Sequence, residues 1–120
     1  MKIDLENRLI AFAVHIIQLV EKLPNTRTGN HLANQLVRSG TSPALNYGEA
    51  QSAESRADFI HKMKICLKEL RETRVWLIMI IRACLIKPAS KLDTVIKEND
   101  ELISIFMTSV KTAKKNKITS

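Results

Sequence analysis

Phe59, Met63, Cys66, Leu70, Thr73, Leu77, Ile80 and Cys84 recur at alternating spacings of four and three without a break. A strand places every second residue on one face, so this period belongs to a helix. Four consecutive heptads make a coiled-coil-like seam and predict one long helix from Ser55 to about Ile86. Ser55 followed by Asp58 is a variant of the capping box and fixes the start. Pro88 is expected to end it.

The rest of the chain also reads as helix. Leu9, Ala13, Ile16, Val20 and Leu23 give a first amphipathic segment from about Lys2 to Leu23, with Ile10, Val14 and Ile17 widening its apolar stripe. Pro24 stops it, and Asn25 to Asn30 form a turn containing Gly29. A second segment, from about His31 to Ala50, is anchored by Leu32, Leu36, Val37, Leu45 and Tyr47. Pro43 falls inside it, and one kinked helix is favoured over two short ones meeting at Gly40–Pro43. A fourth segment begins near Ser90, with a seam of Leu92, Ile96, Asn99, Ile103, Phe106 and Val110 backed by Val95 and Leu102. Short turns between four helices predict an all-α, up-down-up-down antiparallel four-helix bundle. It is expected to occupy residues 1–113 as a single domain, followed by a basic, frayed tail at 114–120.

Composition supports one domain. The chain has 120 residues, 45% of them hydrophobic, and only three Gly and three Pro, which suits a packed core and argues against disorder. The longest apolar run, Val75 to Ile81, is far shorter than a membrane span. The opening MKIDLENRLI carries acids where a secretory leader would be basic and then apolar. A soluble, cytoplasmic protein is expected. The two cysteines, Cys66 and Cys84, lie too far apart on one helix to pair and are expected to be small core residues.

The formal net charge is +7, and the excess sits in the second half of the chain. On the third helix, Lys64, Lys68, Arg71 and Arg82 share one flank, while Glu54, Asp58, Glu69 and Glu72 share the opposite one. Beyond them, Val75, Trp76, Leu77, Ile78, Met79, Ile80 and Ile81 point in every direction. A helix end that is apolar all round implies another chain against it. Opposed charge flanks suit a head-to-tail contact, which closes into a ring. Candidate interface residues on this helix are Glu69, Glu72, Val75, Trp76, Ile78 and Met79. On the second helix, Arg38, Ser42, Asn46 and Glu49 line one polar face. Arg38 and Glu49 are too far apart to pair there, so their partners are expected on another helix or another subunit, with a neighbouring copy the economical choice.

The stretch from Leu36 to Leu77 resembles the signature of the bacterial 23S rRNA intervening-sequence proteins. The matching residues are Arg38-Ser39-Gly40, Ser42, Asn46, Glu49-Ala50, Ser55, Asp58-Phe59 and Leu67-Lys68-Glu69-Leu70, with Leu23-Pro24 upstream. Pro43 and Tyr47 stand where many members carry Ile. The resemblance implies a four-helix bundle assembled as a ring-shaped homopentamer. It also implies kinship with the basic, nucleic-acid-binding accessory variability proteins of diversity-generating retroelements, and a protein partner such as a reverse transcriptase. Fold resemblance carries function only by analogy.

Two functional readings follow. In the first, the chain is a nucleic-acid-binding accessory module that holds RNA or DNA backbones electrostatically. Candidate contacts are Lys64, Lys68, Arg71, Lys111, Lys114, Lys115 and Lys117. No aromatic platform accompanies them, so base reading is not expected. In the second, the flank is used in subunit contacts and the chain builds a structural or protein-interaction ring. Catalysis is the least favoured reading. His15, His31 and His61 fall on different helices without metal-ligand spacing, and no glycine-rich phosphate loop or nucleophile motif is present. No cofactor or metal is expected.

Overall fold

The computed structural model describes the backbone of residues 4–119 and the side chains of residues 4–116. Four α-helices account for most of it: α1 (Leu5–Val20), α2 (Arg27–Gln51), α3 (Arg56–Arg82) and α4 (Asp93–Thr119), the last preceded by a 3-10 turn over Ala89–Leu92. No strand occurs among the described residues. The expected start of the first helix at Lys2 lies outside the described residues. Within them, the Asp4 carboxylate caps α1 by accepting from the Asn7 amide.

Short polar side chains set the other starts. The Thr26 hydroxyl accepts from the Gly29 amide at 3.0 Å, and the Ser55 hydroxyl accepts from the Asp58 amide at 3.0 Å. The Ser55 cap is where the sequence places it. The Thr26 cap starts α2 four residues earlier than expected, because Arg27 to Asn30 carry turn-forming residues that nonetheless enter the helix. Gly29 is required there by close approach: a Cβ would come within 2.0 Å of the Pro24 carbonyl oxygen.

α2 runs unbroken through buried Pro43, in line with one helix rather than two. α3 instead stops at Arg82, short of the expected Ile86. Cys84 adopts a left-handed backbone conformation with φ of 56°. The Leu85 amide then reaches the Ile80 carbonyl and the Cys84 amide reaches the Ile81 carbonyl. This is a Schellman ending with cysteine in the position usually given to glycine. It turns Cys84 out to solvent, so only Cys66 is the buried core cysteine expected of both.

α2 packs along both α1 and α3, and α3 packs along α4, whereas α1 and α4 meet only over a short stretch. The core is filled by Leu9, Phe12 and Ile16 from α1, Leu36 from α2, Met63, Leu70, Leu77 and Ile80 from α3, and Leu92, Val95, Leu102 and Phe106 from α4. Two expected stripes are buried along their centres, Leu9, Ala13, Ile16 and Val20 on α1, and Leu92 just before α4 with Asn99, Phe106 and Val110 on it, and differ at their margins. On α4, Val95 and Leu102 are fully buried while Ile96 and Ile103 are half-buried. On α1, Ile10, Val14 and Ile17 do not widen the core stripe; each is 45% exposed. The neighbour that would cover them is missing because α1 is flanked closely by α2 alone. The described C-terminal residues continue α4 to Thr119. The expected boundary at 113/114 is therefore not a backbone break, since the Lys-rich run contains no glycine or proline to end a helix.

Candidate nucleic-acid interface

Lys64, Lys68 and Arg71 are exposed on α3, and Lys111 and Lys114 are exposed on α4. Helices α3 and α4 run antiparallel in a register fixed by two contacts. Asn99 donates to the Leu70 carbonyl at 3.1 Å, and Arg74 donates to Asp100 at 3.0 Å. That register brings Lys64 level with the Met107–Lys111 stretch. At about 100° per residue, Arg71 and Lys64 lie about 60° and 80° from Arg74, which faces α4, whereas Lys68 lies about 120° from it and about 40° from Glu72, on the solvent side nearer α2; Lys111 projects from α4 toward its α3 side. Five cations thus lie on the exposed surface of α3 and α4. Among the described residues, none of the five has a carboxylate within ion-pairing distance. Lys115 is exposed on the same terminal turns of α4. The Lys117 side chain lies outside the described residues.

The acids of α3 behave differently. Arg38 of α2 donates to Glu69 at 2.9 Å and also to Glu72. The Glu72 carboxyl is held below its usual pKa range, first by the hydrogen bond from Arg38. Glu49 of α2 meets Lys62 of α3 at 3.3 Å. Arg38, Glu49, Glu69 and Glu72 are therefore partnered within one chain, not left for a neighbouring copy. Antiparallel pairing of α2 and α3 puts position 38 opposite positions 69–72, a register that one helical wheel does not reveal. Ser42 and Asn46 bond each other, the Asn46 amide donating to the Ser42 hydroxyl at 2.8 Å.

The apolar end of α3 is divided. Leu77 and Ile80 are buried, and Trp76 and Ile78 are half-buried. The Trp76 ring meets His31 of α2 edge to face, with centroids 6.3 Å apart. Val75 and Met79 stay 49% and 46% exposed. Sequence reading missed a second ion cluster that ties the first helix to the last. Arg8 of α1 donates to Glu98 at 2.7 and 2.8 Å and to Glu101 at 2.6 Å, both on α4. The hydrogen bond from Arg8 also pulls the Glu98 carboxyl below its usual pKa range.

No group of three His, Cys, Asp or Glu able to hold a metal is found among the described residues, and no helix there is long and apolar enough to cross a membrane. Burial pushes the Cys66 thiol up to about 12, so it is no nucleophile at neutral pH.

The profile of the 23S rRNA-intervening sequence protein family matches residues 1–108. The chain belongs to this family. A crystal structure of a protein of unknown function from the S23 ribosomal protein family of Bacteroides thetaiotaomicron is 35% identical to it. The match covers 88% of this chain and 97% of that one, with a TM-score of 0.81. No curated protein matches the chain. Family membership agrees with the residues of α2 and α3 that carry the signature. Several of them serve the fold directly: Arg38 clamps α3, Ser39 and Gly40 pack inside, and Ser55 caps a helix.

Proposed function

We propose that this intervening-sequence family protein is a non-enzymatic accessory module that assembles with copies of itself, as a pentamer on the family resemblance. In this reading the assembly binds RNA or DNA backbones through the exposed surface of α3 and α4. The observation that carries the proposal is the unequal use of charge. The carboxylates Glu49, Glu69, Glu72, Glu98, Asp100 and Glu101 are engaged by bases of the same chain. Lys64, Lys68, Arg71, Lys111 and Lys114 keep their charges for something outside it. Several such cations per copy, multiplied around a ring, attract phosphates strongly without reading bases.

Salt-titrated binding to RNA, single-stranded DNA and duplex DNA, on protein whose mass is fixed by light scattering, tests this. Affinity should fall steeply with salt and show little dependence on sequence. Binding that persists unchanged to about 0.5 M salt would contradict phosphate electrostatics. No binding at low salt to any of the three would leave a structural ring.

A further inference from the structure

Two exposed apolar stripes on different helices mirror each other in charge. On α1, Glu6, Ile10, Val14, Ile17 and Glu21 fall within an arc of roughly 80° and read acid, apolar, apolar, apolar, acid along the axis. Ile10, Val14 and Ile17 are each 45% exposed, and both glutamates are exposed. On α3, Lys68, Arg71, Val75, Ile78, Met79 and Arg82 fall within roughly 100° and read base, base, apolar, apolar, apolar, base. Lys68, Arg71 and Arg82 are exposed, with Val75 at 49% and Met79 at 46%. Among the described residues, none of these five charged ends has an ion-pair partner.

We infer that the α1 stripe of one copy docks on the α3 stripe of the next. The inference rests on the reading above that the protein self-assembles, and it names the surfaces. The lengths agree: Glu6 to Glu21 spans about 22 Å and Lys68 to Arg82 about 21 Å at the helical rise. With the two helices parallel, Glu6 meets Lys68 and Arg71, Glu21 meets Arg82, and the apolar centres cover each other. Parallel docking is what rotation about an axis along the bundle produces, because such a rotation keeps every helix pointing the same way. The heights agree as well. Arg8 of α1 and Arg74 of α3 both reach the Glu98–Glu101 stretch of α4, so the two stripes stand at comparable levels on the molecule. A rotation with little rise joins them, which closes a ring instead of extending a filament. The stripes belong to α1 and α3, which share no packed contact within the chain, so a copy cannot satisfy its own stripes. The contact takes Lys68 and Arg71 and leaves Lys64, Lys111 and Lys114 for phosphate.

Sedimentation velocity and light scattering on the full chain test the contact. Val14→Arg and Met79→Arg each place a charge at a position that is solvent-exposed in the single chain, so helix content by circular dichroism should be unchanged while the assembly falls to monomer. Glu21→Arg alone and Arg82→Glu alone should each raise the dissociation midpoint about tenfold, and the two together should restore it. Variants that all keep wild-type mass and midpoint would overturn the α1–α3 contact while self-assembly stands. A wild-type chain that is monomeric at high micromolar concentration would overturn both.

Discussion

The hydroxyls of Thr73 and Ser39 lie 2.8 Å apart with both residues sealed from solvent, at the centre of the α2/α3 contact. The Thr73 hydroxyl also lies 2.9 Å from the Glu69 carbonyl oxygen, which can only accept. Thr73 therefore donates to Glu69, and the Ser39 proton completes the chain by pointing at Thr73. The relay joins two helices where neither has room for water.

Thr73→Val keeps the shape and removes the acceptor for Ser39, leaving a buried hydroxyl unsatisfied. It should cost about 1–3 kcal/mol in urea unfolding, more than Ser39→Ala at about 1 kcal/mol. The double variant should cost less than the sum of the two, because it removes both ends of the same bond.

Gly40 faces Ile16 so closely that a Cβ would stand 2.8 Å from Ile16 Cγ1 and 2.9 Å from Cγ2. Gly40→Ala should therefore destabilise by about 1–3 kcal/mol, despite alanine's better helix propensity. Adding Ile16→Val should recover part of the loss. A neutral or stabilising Gly40→Ala would show that the Ile16 side chain gives way at little cost.

Cys84 holds a left-handed conformation that costs a side-chain-bearing residue about 1 kcal/mol. Cys84→Gly should raise the unfolding midpoint by a corresponding amount. A thiol reagent should modify exposed Cys84 in the native protein and reach buried Cys66 only after unfolding.

Acid should loosen the α1/α4 contact. The Glu98 carboxyl titrates below its unfolded value because Arg8 bonds its ionised form. Its contribution is thus complete above the unfolded pKa and is lost as pH falls through the folded one. Melting temperature should drop as pH is lowered from 5 toward 3, and Glu98→Gln should flatten that drop.

Lys111→Ala with Lys114→Ala should weaken RNA and DNA alike without changing subunit mass. Each phosphate contact removed should lower the slope of log affinity against log salt by about 0.7–0.9. An unchanged slope would place the nucleic acid elsewhere.

The helices were legible because their signals are local. A seam at periods of four and three, a capping serine and a proline each act within a few residues. Cys84 misled because it continues the α3 spacing by one step, although the backbone has already turned left-handed there. Ile10, Val14 and Ile17 misled because a hydropathy pattern shows which faces are apolar but not which of them has a neighbour. Arg38 with Glu69 and Glu72, and Arg8 with Glu98 and Glu101, were hidden for the same reason. Their pairing depends on how far one helix slides along another, and no single segment carries that information.

The extended contacts of the fold join α1 to α2, α2 to α3 and α3 to α4, each helix meeting its successor in the chain. The search for the native state is therefore a series of neighbouring hairpin closures, with the distant Arg8 clasp added to an almost finished molecule. Such sequence-local topology places folding on the order of milliseconds or faster. A newly made chain would acquire its shape as fast as its own successive hairpins close.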